Sequence, residues 1–211
     1  MLAHLGGFPL VEWVIRRVQR AKFSDLVVLA TSASSYDDSL ANVAGRMGVR
    51  CFRGSESDVL LRIRDAAVSF GAENVVRVCA DNPFVDPVEI DRLIATFHEH
   101  KCDYAFNHLD RLGSQYADGF GAEILSTQLL NDICKLTSKN DHREHVTQYI
   151  WDFSAQFNIC AVKAPSDLSF PNLKFDVDYP IDLLKLERLI ENGVTLDTPA
   201  PEIIIIQQRL D

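Results

Sequence analysis

The 211-residue sequence lacks the features that mark several large classes of protein. Its longest apolar run has five residues, at positions 26–30, whereas a membrane-spanning helix needs roughly 20. The N-terminus does not show the basic-then-apolar pattern of a secretory signal. The net charge of −9 provides no basic footprint for a nucleic acid. These absences predict a cytoplasmic protein without a membrane or nucleic-acid partner.

Cysteine pairs with metal-binding spacing are also absent. The five cysteines are scattered, odd in number and without C-x-x-C spacing: Cys51, Cys79, Cys102, Cys134 and Cys160. They predict reduced, mostly buried thiols rather than a zinc site or a disulfide framework. The sequence also has neither a G-x-G-x-x-G nor a Walker A motif.

What the sequence does contain is an alternation of helical and strand patterns. Amphipathic spacing predicts helices over 9–22, 37–48, 57–70 and 88–100, and short apolar runs predict strands over 26–31, 49–53 and 74–80. Such alternation builds mostly parallel sheets through right-handed crossovers. We therefore expect an α/β fold with a Rossmann-like, mostly parallel sheet that carries helices on both faces.

The domain organisation follows from where this alternation stops. The sequence becomes irregular and turn-rich after about position 104, and a strand, turn and helix pattern returns near position 173. We expect a single domain over 1–211, with a core formed by about 1–104 and 173–192. An α+β region would be inserted over about 105–172.

Three aspartates stand next to predicted strands. Asp81 follows the strand over 74–80 directly, and Asp176 and Asp178 precede the last helix, on one side of an extended chain. Open α/β sheets bind ligands at the carboxyl ends of their strands, and Mg²⁺ prefers oxygen ligands. The pattern predicts a magnesium site facing nucleotide phosphates. The alternative is that each aspartate only caps a turn or a helix.

A second candidate is the segment Arg53-Gly54-Ser55, which follows another predicted strand. The glycine and serine could approach a phosphate closely, and Ser57 could cap a helix whose N-terminus favours anions. An ordinary strand-to-helix turn explains the same residues equally well.

A third candidate lies on a predicted helix, where His142 and His145 flank Arg143 and a glutamate. This is not a zinc-protease spacing and no third ligand is evident, so a metal is disfavoured. Arg143 could instead bind a substrate carboxylate bidentately, with a hydrogen bond from His145. A solvated helix start is the alternative.

Six segments gain meaning from their order: Leu5-Gly6-Gly7-Phe8-Pro9-Leu10, Val28-Leu29-Ala30-Thr31-Ser32, Phe52-Arg53-Gly54-Ser55, Arg77-Val78-Cys79-Ala80-Asp81-Asn82-Pro83, Arg143-Glu144-His145-Val146-Thr147 and Phe175-Asp176-Val177-Asp178-Tyr179-Pro180. Together they resemble the cytidylyltransferases that activate acidic sugars, such as the CMP-sialic acid and CMP-Kdo synthetases. Within that family the chain is most similar to the spore-coat polysaccharide biosynthesis branch.

The resemblance implies transfer of CMP from CTP to an acidic sugar, with release of pyrophosphate and a requirement for Mg²⁺. It assigns catalysis to Asp81 and Asp178, and the metal to those two with Asp176. It further implies a homodimer. The other implied contacts are Thr31, Ser32, Arg53, Gly54 and Ser55 for the nucleotide, and Glu123, Arg143 and His145 for the acceptor.

The sequence departs from the family pattern at two places. Members carry a strand and a basic, glycine-containing loop before the segment that matches 2–10, and this chain shows neither. Arg16, Arg17 and Arg20 cannot replace the loop if they lie on a helix surface, so we expect weak or no activity and a gap between the strands over 26–31 and 74–80. Residues 203–206 (IIII) could fill that gap as a strand or pair with another chain; an edge strand or a C-terminal helix is the alternative. The other departure is Gly121-Ala122-Glu123, where relatives often carry an extra acid.

Two other functions stay open at this point. The chain could be a non-catalytic relative that acts as a binding or assembly subunit, or an unrelated sugar-phosphate enzyme on a similar sheet. The ordered segments disfavour the second of these.

Overall fold

The computed structural model describes residues 1–210. The strands are β1 (His4–Leu5), β2 (Phe8–Pro9), β3 (Val28–Ser32), β4 (Arg50–Gly54), β5 (Asn74–Arg77), β6 (Tyr104–Phe106), β7 (Glu123–Ser126) and β8 (Ile159–Ala161). The α-helices are α1 (Leu10–Val18), α2 (Asp38–Arg46), α3 (Val59–Ser69), α4 (Pro87–His100), α5 (Thr127–Leu136), α6 (Asn140–Glu144), α7 (Gln148–Asp152), α8 (Pro180–Glu191) and α9 (Ala200–Leu210). No helix among the described residues is long and apolar enough to cross a membrane.

The strands form a mixed arrangement with helices packed around it, and this confirms the expected α/β class. β3 and β4 pair in parallel, from Val28 opposite Arg50 to Ser32 opposite Gly54. A four-stranded sheet has the order β5-β7-β6-β8, in which β7 is antiparallel to both neighbours and β8 is parallel to β6. β1 and β2 form a short hairpin.

β3 and β5 belong to different sheets, and each is the end strand of its own. They are not hydrogen-bonded to one another, as the expected gap between them implies. The residues of β5 are all half-buried, and so are the first three of β3. The carboxyl ends of these two strands frame the candidate site.

The C-terminal segment is helical, so the hypothesis of a gap-filling strand over 203–206 is wrong. Ile203 and Ile204 pack into the main apolar core from α9, whereas Ile205 is 47% exposed. Asp86 fixes this helix and α4 together. Its carboxylate accepts hydrogen bonds from the backbone N–H of Val88, as the N-cap of α4, and of Ala200 at the start of α9.

Arg17 is 1% exposed, which corrects the expectation that it lies on the surface of α1. Its guanidinium donates to the carbonyls of Val85, Leu196 and Thr198 and lies 3.7 Å from the Asp86 carboxylate. Burial lowers the pKa of Arg17 to about 10, although Asp86 opposes the shift. The residue is therefore a structural tie between α1 and the C-terminal segment.

The cysteine prediction is wrong for two of the five residues. Cys102, just before β6, and Cys160 in β8 form a disulfide, because β6 and β8 are neighbours in the sheet. Cys51, Cys79 and Cys134 are free, and all three are only half-buried.

Three features of the secondary structure next to the candidate site differ from expectation. β5 ends at Arg77, so Asp81 follows it after a short loop rather than directly. Asp58, not Ser57, caps α3 by accepting a hydrogen bond from the N–H of Leu61. The strand expected near 173 is reduced to a single parallel bridge between Asp118 and Lys174.

Candidate functional site

The structure brings Asp81 together with Asp176 and Asp178. The backbone N–H of Val177, between the two later aspartates, donates to the carbonyl of Asp81 over 2.9 Å. Asp118 joins them, because its N–H donates to Leu173 and its carbonyl accepts from Phe175. We call these four aspartates the acidic cluster.

Burial and mutual repulsion raise the pKa values of three of these aspartates, Asp81, Asp118 and Asp176. The pKa of Asp81 is raised by burial and by the negative charges of Asp176 and Asp178. Burial likewise raises the pKa of Asp176, and burial with the neighbouring Asp176 raises that of Asp118 to about 6. At these three aspartates the effect of burial therefore outweighs that of the positive charges nearby.

One lysine reaches the cluster. Lys174 Nζ lies 2.6 Å from Asp178 Oδ2 and 3.2 Å from Asp176 Oδ2. Asp81 Oδ1 and Asp176 Oδ1 are buried and have no hydrogen-bond partner. Asp178 does not cap α8, because the Asp182 carboxylate accepts from the N–H of Tyr179 there.

These residues fit a divalent cation only in part. Within residues 1–210, no three histidine, cysteine, aspartate or glutamate side chains are grouped closely enough to hold a metal ion by themselves. Mg²⁺, however, is commonly held by one or two carboxylates together with water and substrate phosphates. The carboxylate oxygens of Asp81 and Asp176 that lack hydrogen-bond partners can act as metal ligands in such an arrangement.

A second group lies at the carboxyl ends of β3 and β4. Asp37 accepts from the Thr31 hydroxyl over 2.7 Å and from the Ser32 N–H over 3.0 Å. These hydrogen bonds lower the pKa of Asp37. Arg53 donates to the carbonyls of Ser32 and Ser34. The side chains of Thr31 and Arg53 thus brace the loop after β3.

The turn after β4 is equally well packed. A Cβ on Gly54 would lie 2.8 Å from the Phe52 ring and 3.0 Å from Arg62 Cγ, which explains the glycine. Ser55 Oγ accepts from the N–H of Asp58. Arg62 donates to the Ser55 carbonyl, and its Nε is buried without a partner.

Arg143 lies beside this turn and does not line the cavity described next. It pairs with Asp58 over 3.3 Å and donates to the carbonyl of Cys134. Arg143 and His145 therefore do not line this cavity together, and their binding of one acceptor stays a prediction. His142 is structural, since its two ring nitrogens contact Thr137 and Asp152.

A third group lines an open cavity of about 200 Å³ between the end of β5 and α7. The charged and aromatic residues around it are Arg77, His108, Arg111, Glu123, His145 and Trp151. The guanidinium of Arg111 stacks on Trp151, 3.6 Å from the ring centroid. Two arginines against a single carboxylate make this a cationic cavity that suits an anion.

Glu123 is 3% exposed, and both its carboxylate oxygens are engaged. Oε1 accepts from Arg77, and Oε2 accepts from the hydroxyls of Tyr104 at 2.6 Å and Thr147 at 3.1 Å. Burial by itself would raise the pKa of Glu123, but Arg77 and His108 outweigh it and lower that pKa. Glu123 therefore holds Arg77 at the cavity wall.

Four cavity residues were not singled out as contacts by the sequence, namely Arg77, His108, Arg111 and Trp151. Glu123 outweighs burial and raises the pKa of Arg77, so its positive charge is secure. Burial lowers the pKa of His108, and its Nδ1 has no hydrogen-bond partner. The positive charge of Arg77 also acts on Asp81 in the acidic cluster and on Arg62 beside the turn after β4.

The structure thus combines an α/β fold with an acidic cluster and a cationic cavity that suits an anion. A family model described as cytidylyltransferase matches residues 1–197. The spore coat polysaccharide biosynthesis protein SpsF of Bacillus subtilis (strain 168) is 30% identical over 99% of this chain and 87% of its own length. The 8-amino-3,8-dideoxy-manno-octulosonate cytidylyltransferase of Shewanella frigidimarina is 26% identical over 67% of this chain and 54% of its own length.

The solved structure of a cytidylyltransferase from Leptospira borgpetersenii supports the fold. It superposes with a TM-score of 0.90 at 22% identity, over 99% of this chain and 87% of that one. The chain belongs to the cytidylyltransferase family, and by family it is a CTP-dependent enzyme. The resemblance drawn from the six ordered segments is confirmed.

Proposed function

We propose that this protein transfers CMP from CTP to an acidic sugar in surface polysaccharide biosynthesis. A sugar hydroxyl oxygen bonds to the α-phosphorus, the bond to the β-phosphate breaks, and pyrophosphate and the hydroxyl proton are released. The observation that carries the proposal is the pair of buried carboxylate oxygens without hydrogen-bond partners on Asp81 and Asp176. Arg77, whose positive charge acts on Asp81, lines the cationic cavity.

Asp81, Asp176 and Asp178 would hold Mg²⁺, with Asp81 and Asp178 closest to the reaction. The ion, when bound, supplies positive charge to the phosphates during transfer. Asp81 and Asp176 have what this role requires, namely buried oxygens without hydrogen-bond partners.

The nucleotide would bind across the ends of β3 and β4, against Thr31, Ser32, Arg53, Gly54 and Ser55. The Thr31 and Arg53 side chains are already hydrogen-bonded to the loop after β3, so they would hold the shape of the nucleotide site rather than contact the nucleotide. Arg143 would stabilise the neighbouring turn after β4 through its ion pair with Asp58.

The acceptor would bind in the cationic cavity. Arg77 and Arg111 offer guanidinium groups to the sugar carboxylate, and the exposed His145 lies at the same wall. Glu123 acts as a positioning residue, because its oxygens are taken by Arg77, Tyr104 and Thr147. The names of relatives that act on octulosonates support an acidic acceptor.

The test combines binding with turnover, so that ligand binding and catalysis are measured separately. Calorimetry measures CTP binding with and without Mg²⁺, and mass spectrometry detects CMP-sugars after incubation with 3-deoxy-manno-octulosonate or N-acetylneuraminate. We expect Mg²⁺-dependent CTP binding and a CMP-sugar from at least one acid. CTP binding without any product supports the non-catalytic alternative, and no binding contradicts the proposal.

A matched pair of variants tests the acceptor site. Arg77→Met should weaken acceptor binding at least tenfold, by loss of a charge-assisted hydrogen bond. Arg92→Met is the control, because Arg92 also pairs with a buried glutamate, Glu89, but does not line the cavity. Equal effects of the two variants would contradict the assignment.

The homodimer and the cytoplasmic location stay predictions. Disulfides are rare in the cytoplasm, so the Cys102–Cys160 bond is the observation that weighs against that location.

A further inference from the structure

Lys174 holds the position of a cation inside the acidic cluster. Its ammonium contacts Asp176 Oδ2 and Asp178 Oδ2 at once. The two carboxylates outweigh the effect of partial burial and raise the pKa of Lys174, so it is charged at any physiological pH. In the described part of the chain, no other lysine or arginine makes an ion pair with these four aspartates.

The backbone fixes this arrangement. Lys174 stands in the bridge to Asp118, whose N–H and carbonyl bond to the residues on either side of it. A Cβ on Gly119 would lie 2.8 Å from the Phe175 carbonyl carbon, so only glycine allows the two segments to approach this closely. The base of the lysine side chain is therefore held beside the carboxylates.

The charges of the cluster do not balance. The Lys174 ammonium contacts two of the four carboxylates, and the inner oxygens of Asp81 and Asp176 have no hydrogen-bond partner. A divalent cation on those oxygens would lie next to the ammonium, and like charges at such a distance repel each other. A nucleotide triphosphate would remove the conflict, because its negative charge can accept both cations.

We propose that Lys174 competes with the divalent cation for the acidic cluster and thereby makes metal binding depend on the nucleotide. This inference rests on the proposed function, since it takes the acidic cluster as the metal site. Lys174 keeps the carboxylates together while no metal is present. When CTP and the metal arrive together, the ammonium turns from Asp176 and Asp178 to the phosphates.

The test measures the affinity for Mn²⁺, used as a substitute for Mg²⁺, with and without CTP, by calorimetry and electron paramagnetic resonance. Lys174→Met should bind Mn²⁺ alone about tenfold more tightly than the unchanged protein, because a unit charge beside the ion is lost. Lys174→Arg should keep the weak affinity of the unchanged protein. Lys185→Met is the control, since Lys185 forms a similar ion pair with Asp182 outside the cluster.

CTP should enhance Mn²⁺ affinity more in the unchanged protein than in Lys174→Met, since coupling between two ligands is reciprocal. Equal or weaker Mn²⁺ binding by Lys174→Met would overturn the inference, as would a Lys174→Arg variant that behaves like Lys174→Met. Asp81→Asn separates the two proposals. If it binds Mn²⁺ as the unchanged protein does, or if no protein binds Mn²⁺ with CTP, the metal site itself is wrong.

Discussion

The acidic cluster and the cationic cavity both bury charged side chains, but they differ in how those charges are satisfied. In the cavity, the Glu123 carboxylate accepts three hydrogen bonds and its pKa is lowered. In the cluster, Asp81 and Asp176 each leave an oxygen without a partner, and their pKa values are raised. Burial acts on all three carboxyl groups, so the difference comes from the neighbours.

This difference separates a structural carboxylate from one that is available for a ligand. A buried group with all its partners stabilises the fold, and its removal leaves those partners unpaired. A buried group without partners costs stability until a ligand arrives. Substitutions in the two regions should therefore change stability in opposite directions.

The largest loss of stability is expected for Glu123→Ala. It leaves the Arg77 guanidinium and the Tyr104 hydroxyl without their acceptor, and breaking a buried ion pair costs about 3–5 kcal/mol. Urea unfolding measures the effect. Asp197→Ala is the control: its pair with Arg20 is exposed and should contribute less than about 1 kcal/mol. Similar losses in the two variants would contradict a structural role for Glu123.

Asp81→Asn should lower activity strongly without lowering stability. We expect CMP transfer to fall by about 100-fold or more, the scale seen when one preorganised electrostatic group is removed. Stability should stay equal or rise, because one of several repelling charges is gone. Asp37→Asn is the matched variant: it loses acceptor strength toward Thr31 and Ser32, so it should lose about 1 kcal/mol. A destabilised Asp81→Asn would argue that Asp81 is structural.

The cluster also depends on Gly119, which has φ +104° and lies against Phe175 and Asp176. Gly119→Ala should cost about 1–3 kcal/mol through backbone strain and should weaken metal binding. Gly45→Ala is the control, because Gly45 is in α2 with open space around it. There alanine should stabilise the helix by about 0.5–1 kcal/mol. Thermal unfolding of both variants checks this contrast.

The smallest effect concerns pH. Because the pKa of Asp118 is raised to about 6 from an ordinary 3.8, the folded state holds this proton more tightly than the unfolded state. The resulting stability is present below about pH 4 and is lost as the pH rises through 6. Asp118→Asn should remove about 1 kcal/mol of this pH dependence, after allowance for solvent screening. Urea unfolding measures the free energy of unfolding of both proteins at pH 4 and pH 7. An equal change between the two pH values in both proteins would contradict the raised pKa of Asp118.

The sequence predicted one half of this comparison better than the other. Asp81, Asp176 and Asp178 could be placed together because the ends of neighbouring strands converge, and Val177 does bond to Asp81. Asp118 was missed because it lies in a turn-rich stretch without periodicity. The Asp-Gly pair at 118–119 was the available signal, since glycine permits the left-handed turn that brings this acid inward.

The role of Glu123 was harder to predict. A glutamate on a short strand shows nothing of its three donors, which come from β5, β6 and the segment before α7. Arg17, in contrast, could have been placed correctly. It follows Trp13 and Val14 at helical spacing and therefore shares their buried face. The Cys102–Cys160 bond depends on the pairing of β6 with β8, which no local pattern reveals.

The most direct test of the cytidylyltransferase site is a crystal structure with CTP and Mn²⁺, with the metal located by anomalous scattering. We predict a metal peak about 2.1 Å from carboxylate oxygens of Asp81 and Asp176, with CTP phosphates completing its coordination. The Lys174 ammonium should then face the phosphates rather than Asp178. A metal bound elsewhere on the protein, or CTP bound with no metal at Asp81, would contradict the site.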